Sequence, residues 1–275
     1  MTGQAVTQPV TDGAHYEALR IERDGAVARL VFNRPDKLNS FNAAQRRELI
    51  DAVDLLNADA ALRVIILTGE GRAFSAGADL AALKALRDAS LMENREDSAH
   101  LASLFDTIYT HEKPVIAKIN GHAVAGGCGL AAVCELSFAA DGAKLGFTET
   151  RIGFVPAIVM VYVRRKLGEA ALRDLLLRGR LVAAKDAASM GLINEVVPAG
   201  DLDERVDAVA IEIAAETSGS AVALTKQMLA QVPGMGRREA ADYAVQMNAF
   251  ARGTDDCQAG IQAFLDKEPP PWKQQ

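Results

Sequence analysis

Two glycine-rich turns constrain this chain more than any other feature of its sequence. Residues 71–80 read GRAFSAGADL and residues 121–129 read GHAVAGGCG, and each stretch follows a strand-like run and enters a helix-like run. Small residues in such turns let another group approach the backbone closely and leave N–H groups free to point at it. Two turns of this kind could aim one N–H each at a single oxygen atom. That arrangement is an oxyanion hole, and it indicates chemistry at a carbonyl group.

The composition is that of an ordinary globular protein, and it excludes several classes of function. The chain has 275 residues, of which 49% are hydrophobic and 24% are charged, so it can bury a full core. A net charge of −6 is a poor fit to nucleic-acid binding. The three cysteines have no metal-site spacing and form no even set for disulfides, which favours a reducing compartment.

The sequence also lacks the patterns that direct a chain to a membrane or out of the cell. No apolar run approaches the roughly 18 residues of a membrane span. The first fourteen residues are polar and lack an apolar signal core. We therefore expect a cytoplasmic protein with a loose N-terminal tail and with no metal, nucleic acid or membrane as a partner.

Strands and helices alternate over the first two thirds of the chain, and helices fill the last third. Asp24-Gly25 is a hairpin signal between two strand-like runs, and Asn42 is placed to cap the first helix. A strand–turn–helix unit then recurs, which suggests a repeated supersecondary module. These patterns predict a flexible tail over residues 1–14, an α/β core over 15–200 and a helical region over 201–275.

The order and spacing of six motifs resemble the crotonase superfamily, that is, the enoyl-CoA hydratase/isomerase family. The resemblance runs from Tyr16 to Trp272. The motifs are NRP at 33–35, the first glycine turn at 71–80, KPVIA at 113–117, GGCGLA at 126–131, the segment 146–156, and GIQAFLDK at 260–267.

The resemblance implies both a fold and a ligand. The implied fold is α/β, a crotonase-like spiral of repeated ββα units followed by a C-terminal helical trimerisation region. The implied assembly is a homotrimer or a dimer of trimers. The implied substrate is an acyl-CoA thioester, with no separate cofactor because coenzyme A is part of the substrate.

Three catalytic positions follow from the resemblance. Ala76 and Gly126 are expected to give two backbone N–H groups to the thioester oxygen, and Gly126 falls at a helix N-terminus, which favours an anion. Glu149 is expected to place its carboxylate at the reacting carbons. Its neighbours in sequence are largely apolar, so burial should raise its pKa towards the range useful for proton transfer.

The resemblance also implies a set of coenzyme A contacts. Arg34 and Lys37 would meet the phosphates. Asp79 is included in this set because it is near the first glycine turn, but it fits a helix N-terminal cap better. Phe264 and Lys267 would reach the coenzyme A of a neighbouring subunit. The full set is Arg34, Lys37, Leu38, Ala73, Ala76, Asp79, Leu80, Phe264 and Lys267.

At Gly129 the sequence departs from the best-known hydratases of this family, which carry a second glutamate there. A single glutamate is compatible with hydration in a branch of the family whose members use only one carboxylate. It also suits Δ3,Δ2-enoyl-CoA isomerisation, in which one base removes a proton from C2 and returns it to C4. A third reading is a catalytically weak acyl-CoA-binding scaffold subunit.

We favour the hydratase. Residues 149–157 resemble bacterial enoyl-CoA hydratases, including some that act on 3-methylglutaconyl-CoA. The expected substrate is thus a 2-enoyl-CoA, of which branched or dicarboxylic ones are candidates. Arg151 could meet a second carboxylate on such an acyl group, although a surface or intersubunit salt bridge is the commoner fate of such an arginine.

Overall fold

The structure is a computed structural model that describes the backbone of Gln8–Pro9 and the chain from residue 16 to residue 273. Within that part, the side chains of Leu80 and Leu86 are not described. The predicted tail, residues 1–14, therefore lies outside the described residues apart from Gln8–Pro9, which pairs with the first long strand.

The described strands form a seven-stranded sheet and a four-stranded sheet. They are β1 (Gln8–Pro9), β2 (Leu19–Asp24), β3 (Val27–Phe32), β4 (Val64–Gly69), β5 (Ala73–Ser75), β6 (Val115–Ile119), β7 (His122–Val124), β8 (Leu136–Ala140), β9 (Lys144–Gly146), β10 (Leu181–Ala183) and β11 (Glu195–Val197). The large sheet has the order β1-β2-β3-β4-β6-β8-β11, and it is antiparallel up to β3 and parallel beyond it. The small sheet has the order β10-β9-β7-β5, and only its β10–β9 pair is antiparallel.

The helices cover the large sheet and continue beyond it towards the C-terminus. They are α1 (Ala43–Ala58), α2 (Leu80–Asp88), α3 (Leu91–Thr110), α4 (Gly126–Val133), α5 (Ala157–Val163), α6 (Glu169–Arg178), α7 (Ala184–Ser189), α8 (Leu202–Glu216), α9 (Gly219–Gln231), α10 (Arg237–Ala251) and α11 (Asp255–Asp266). Asn42 caps α1 with a full capping box, because its side chain accepts from Gln45 N while the Gln45 side chain accepts from Asn42 N. The predicted cap is thus confirmed.

The strand–strand–helix module repeats along the chain. In the pairs β4–β5, β6–β7 and β8–β9, the first strand joins the large sheet and the second joins the small sheet. A helix follows each pair, namely α2, α4 and α5. The predicted α/β architecture of repeated ββα units is therefore confirmed.

Both faces of the large sheet are buried. On β4, Ile65 and Leu67 belong to one apolar cluster, while Val64 and Ile66 belong to another. Alternate residues of a strand point to opposite faces, so the two clusters lie on opposite sides of the sheet. This explains why all six residues of β4 are buried, as expected for a parallel strand covered on both sides.

Helix α8 covers the second face of the large sheet. Leu202, Val206, Val209 and Ala210 are buried in the same cluster as the sheet residues Val64 and Ile66. The predicted boundary at residue 201 therefore needs correction, since α8 is part of the core and the helices outside the sheet layers begin at α9. The sequence predicted helices over residues 201–275 but not the surface that the first of them contacts.

A buried ion pair connects α9 to the core. The Lys226 ammonium lies 3.0 Å from Glu135 Oε2 and also donates to the carbonyls of Ile108 and Lys113, at 3.1 and 2.9 Å. Glu135 Oε2 accepts a further hydrogen bond from Val115 N, at 2.7 Å. Glu135 thus has a structural role.

Two kinds of feature are missing from the described residues. No single helix in residues 16–273 has both the length and the apolar composition to cross a membrane, and only the bent pair Leu202–Glu216 and Gly219–Gly234 meets those criteria together. Within the same residues, no group of three or more His, Cys, Asp and Glu side chains could hold a metal ion.

If α8 is a core helix, Val206→Ala should lower the free energy of unfolding by roughly 2 kcal/mol, since it removes fully buried methyl groups. Ile211→Ala on the same helix is the control, because Ile211 is 57% exposed and exposed changes usually stay within about 0.5 kcal/mol. Urea unfolding measures both. Equal losses in the two variants would contradict the core assignment.

Candidate active site

The three predicted catalytic segments meet at one edge of the small sheet. Strands β5, β7 and β9 run parallel, with Ser75 opposite Ala123 and Val124 opposite Gly146. Parallel strands place their carboxyl ends on the same edge, and ligands of α/β proteins bind there. Gly77, Gly126 and Glu149 come shortly after the ends of β5, β7 and β9, so the sheet brings these segments side by side.

The two glycine turns touch each other at Gly77 and Gly126. The Gly77 Cα lies 4.0 Å from the position that a Cβ on Gly126 would occupy. A Cβ on Gly77 would lie 2.8 Å from the Val124 carbonyl oxygen and 3.1 Å from Gly126 N, and Gly77 has a φ of 81°. Only glycine adopts that φ at this distance without strain. The two turns are therefore in contact, and the aim of their N–H groups at a single oxygen stays a prediction.

The N–H of Ala76 is already occupied. It donates to the Leu38 carbonyl oxygen at 2.9 Å. A backbone N–H forms one good hydrogen bond, so Ala76 has no free donor for a substrate oxygen. In this structure the expectation that Ala76 supplies an oxyanion-hole N–H is therefore wrong.

Ala78, two residues further on, has the free donor instead. Phe41 N donates to Gly77 O at 2.8 Å and Asp79 N donates to Phe41 O at 3.1 Å, which forms a parallel bridge between Phe41 and Ala78. In such a bridge the N–H of the middle residue points away from its partner. Among the residues that the structure describes, nothing accepts a hydrogen bond from Ala78 N.

The second free donor lies at the start of α4. Gly126 is the first residue of that helix, and its N–H has no acceptor within the described part of the chain. Ala125, which precedes it, has a φ of 51° and donates its own N–H to Gly146 O at 2.8 Å. This bond fixes the first turn of α4 to β9. Unpaired N–H groups at a helix N-terminus favour a negatively charged oxygen.

Glu149 has a buried carboxylate oxygen for which the described residues provide no hydrogen-bond partner. It begins a 3₁₀ helix, Glu149–Ile152, which follows β9 and ends at Gly153 with a φ of 77°. Its Oε2 is buried and makes no hydrogen bond with any described residue. Burial raises the pKa of this carboxyl group, as predicted. Unpaired buried groups of this kind are costly and concentrate at functional sites.

The space next to Gly129 is filled by apolar side chains. A Cβ on Gly129 would lie 2.8 Å from Phe105 Cε1 and closer still to Val159 Cγ1. Phe105 itself stacks on Tyr162, with ring centroids 5.6 Å apart. The position where the best-known hydratases carry a second glutamate therefore has no room for a side chain.

Arg34 is engaged within the protein. Its Nη1 donates to Ser40 O at 3.0 Å and to Gln45 Oε1 at 2.6 Å, and its guanidinium lies 3.2 Å from Asp79 Oδ2. Asp79 caps α2 by accepting from Ala81 N at 2.7 Å, as predicted. That bond and the Arg34 guanidinium hold the pKa of Asp79 below its usual range, against the opposing effect of burial.

Two of the backbone groups expected beside coenzyme A are also paired. The Leu38 carbonyl accepts from Ala76, and the Ala73 carbonyl accepts from Asn39 Nδ2 at 2.7 Å. Both groups lie beside the first glycine turn. Their contact with coenzyme A stays a prediction.

The other expected contacts lie at exposed or undescribed positions. Lys37 is exposed at the end of a short 3₁₀ helix, Pro35–Lys37. Leu80 begins α2, and its side chain is outside the described atoms. Phe264 is 82% exposed on α11, and Lys267 follows that helix at the surface. Their roles also stay predictions.

The comparisons with known proteins agree on one family. Residues 22–275 match the family model described as enoyl-CoA hydratase/isomerase. A Thermus thermophilus protein that is provisionally named an enoyl-CoA hydratase is 44% identical over 246 residues, which cover 90% of this chain and 97% of that protein. The crotonyl-CoA hydratase of Syntrophomonas wolfei is 35% identical over 258 residues, covering 92% and 96%. The crystal structure of an enoyl-CoA hydratase from Mycobacterium smegmatis superposes with a TM-score of 0.88 at 30% identity, covering 94% of this chain and 99% of that one.

If the apolar contacts at Gly129 are as tight as the geometry indicates, Gly129→Ala should destabilise the protein by about 1–3 kcal/mol. Helix propensity alone would change stability by about 1 kcal/mol in the opposite direction. Gly142→Ala is the control, because a Cβ there would meet nothing within 4 Å. Thermal unfolding of both variants measures the difference, and a stabilised Gly129→Ala would contradict the packing.

Because the pKa of Glu149 is raised in the folded state, replacing its carboxyl group by a neutral amide should stabilise the fold. A carboxyl whose pKa is higher in the folded than in the unfolded state weakens the fold once it is ionised. Glu149→Gln should therefore raise the free energy of unfolding at neutral pH. The gain should shrink as pH falls through the folded pKa and vanish below the unfolded value of about 4.3.

Urea unfolding of Glu149→Gln across pH measures this difference. Glu96→Gln is the control, since Glu96 is exposed on α3. A constant difference between wild type and Glu149→Gln at all pH values would contradict the burial of an ionisable group.

Proposed function

The chain belongs to the enoyl-CoA hydratase/isomerase family, and we propose that it adds water to a 2-enoyl-CoA thioester with Glu149 as its single carboxylate. The observation that carries this proposal is the unpaired, buried Oε2 of Glu149 on the same sheet edge as two unpaired backbone N–H groups. Such a combination suits a reaction in which a proton moves while negative charge collects on a carbonyl oxygen.

The two N–H groups would stabilise the enolate. The thioester oxygen would accept from Ala78 and Gly126, and each donor is worth roughly 3 kcal/mol once the oxygen becomes negative. Both donors are held by the fold before substrate arrives, so little reorganisation accompanies the reaction.

Glu149 can carry the proton through the whole addition. Its carboxylate takes a proton from water while the hydroxyl bonds to C3, and the electron pair of the double bond moves towards the thioester oxygen. The enolate then takes that proton from the Glu149 carboxylic acid at C2. One group removes and returns the same proton, so the step balances without a second acid.

The packing at Gly129 favours a second candidate, Δ3,Δ2-enoyl-CoA isomerisation. Phe105 and Val159 close the space that a water-binding second carboxylate would need. In the isomerase reaction Glu149 removes a proton from C2 and returns it to C4, and no water takes part. Hydration remains our first proposal because the relatives compared above are named as hydratases.

Arg151 supports a branched or dicarboxylic acyl group, such as 3-methylglutaconyl, as substrate. It lies two residues after Glu149, is exposed, and has no ion-pair partner among the described residues. A cation two residues along the chain from Glu149 could hold a second carboxylate of the substrate.

We propose the assembly and the setting together with the reaction. The enzyme would act in the cytoplasm as a homotrimer or a dimer of trimers, with coenzyme A as part of the substrate and no separate cofactor. Exposed apolar residues on α11 support self-association, since Phe264 is 82% and Leu265 68% exposed in the single chain.

Mass spectrometry of the products of 2-enoyl-, 3-enoyl- and 3-methylglutaconyl-CoA tests the proposal. Gain of one water supports the hydratase, whereas migration of the double bond at constant mass supports the isomerase. Glu149→Gln should lower turnover by about 10²–10⁴-fold with substrate binding kept, while Glu96→Gln should match wild type. Binding of all three thioesters without turnover would overturn the enzymatic proposal in favour of an acyl-CoA-binding scaffold.

A further inference from the structure

Ser75 connects three parts of the candidate site although its side chain is fully buried. Its Oγ donates to the Asn39 carbonyl oxygen at 2.8 Å and accepts from Gly77 N at 3.1 Å. The hydroxyl therefore joins the loop that contains Asn39 to the turn that leads to Ala78. Both hydrogen bonds lie in the interior, where leaving either partner unpaired is costly.

The Asn39 end of this connection is itself fixed. Asn39 is 2% exposed with a φ of 53°, and its side chain donates to Glu70 O at 2.9 Å and to Ala73 O at 2.7 Å. Its Oδ1 accepts from Arg34 N at 3.0 Å. The Asn39 carbonyl that accepts the hydrogen bond from the Ser75 hydroxyl therefore belongs to a rigid loop. Because the same hydroxyl accepts from Gly77 N, it restrains the position of Gly77 relative to that loop.

Ser75 also contacts the second glycine turn. A Cβ on Gly127 would lie 2.8 Å from the Ser75 Cβ and closer still to the Ser75 carbonyl oxygen. Gly127 directly follows Gly126 in the first turn of α4. Ser75 thus packs against the turn that contains Gly126, while its hydroxyl is hydrogen-bonded to Gly77 N in the turn that contains Ala78.

We propose that Ser75 is a positioning residue that fixes the two free N–H groups, of Ala78 and Gly126, relative to each other. The inference rests on the proposed function and deepens it, since it concerns the same pair of donors. Ser75 itself does not touch the substrate. Its hydroxyl is fully buried, donates to a carbonyl and has no histidine or carboxylate bonded to it, so it lacks the features of a nucleophile.

Ser75→Ala tests this role against a matched control. Ser137→Ala removes another fully buried serine hydroxyl. Ser137 lies on β8, and its hydroxyl donates at 2.8 Å to Ala131 O, near the C-terminal end of α4 rather than in its first turn. Both changes should lower stability to a similar extent. Only Ser75→Ala should lower kcat, by about 10- to 100-fold, because a small misplacement of the donors weakens their bonds to the charged oxygen. KM should change little.

A spectroscopic readout separates positioning from general damage. Butyryl-CoA has no double bond to hydrate or shift, so it can bind without turnover. With ¹³C at its thioester carbonyl, the infrared stretching frequency of that carbonyl should decrease on binding to wild type and to Ser137→Ala. The decrease in frequency should be smaller in Ser75→Ala, and calorimetry should show that this variant still binds butyryl-CoA. Ser75→Cys, whose thiol hydrogen-bonds only weakly, should lie between wild type and Ser75→Ala.

Each possible result either supports or overturns the positioning role of Ser75. An equal decrease in the carbonyl stretching frequency and an equal kcat in Ser75→Ala and Ser137→Ala would overturn it. So would loss of folding in both Ser75 variants while Ser137→Ala folds, because Ser75 would then serve the fold as a whole. If wild type binds butyryl-CoA with no decrease in the stretching frequency, the two-donor site is itself absent, and the proposed function fails together with the role of Ser75.

Discussion

The candidate site depends on the contact between Gly77 and Gly126, where two backbone segments come closer than any side chain would allow. This contact places the peptide before Ala78 beside the first turn of α4, so that two N–H groups without acceptors among the described residues lie in adjacent segments. The small parallel sheet makes the contact possible, because β5 and β7 end on the same edge. The glycines make it sterically allowed. Without either, the chain would keep its core and lose the pair of donors.

The site retains groups that a fold optimised only for stability would pair or remove. Glu149 Oε2 is buried without a hydrogen-bond partner in the described part of the chain, and burial raises the pKa of this carboxyl group. The Ala78 and Gly126 N–H groups also have no acceptor among those residues. In contrast, the space beside Gly129 is packed with Phe105 and Val159. Within the part of the chain that the structure describes, the candidate site thus combines the Glu149 carboxyl group with an apolar wall, which suits the proposed reactions that need one carboxylate.

The sequence predicted the local features of the site and missed those that depend on distant segments. The glycine turns, the Asn42 cap and the raised pKa of Glu149 were all predictable, because turn chemistry, capping and apolar context are local. Ala76 and Ala78 could not be told apart, since both are alanines in one turn. The direction of their N–H groups depends on the φ of Gly77 and on the hydrogen bonds of the neighbouring Leu38–Phe41 segment. Similarly, the core position of α8 and the neighbours of Gly129 depend on contacts between segments far apart in sequence.

A crystal structure of the protein with butyryl-CoA bound would show whether Ala78 N and Gly126 N bind the same substrate oxygen. We expect the thioester oxygen to lie about 2.7–3.1 Å from both nitrogen atoms, the range of a good N–H···O hydrogen bond. We also expect the Glu149 carboxylate to face C2 and C3 of the acyl group. A thioester oxygen bound elsewhere, or held by only one of these two nitrogen atoms, would rule out the two-donor site.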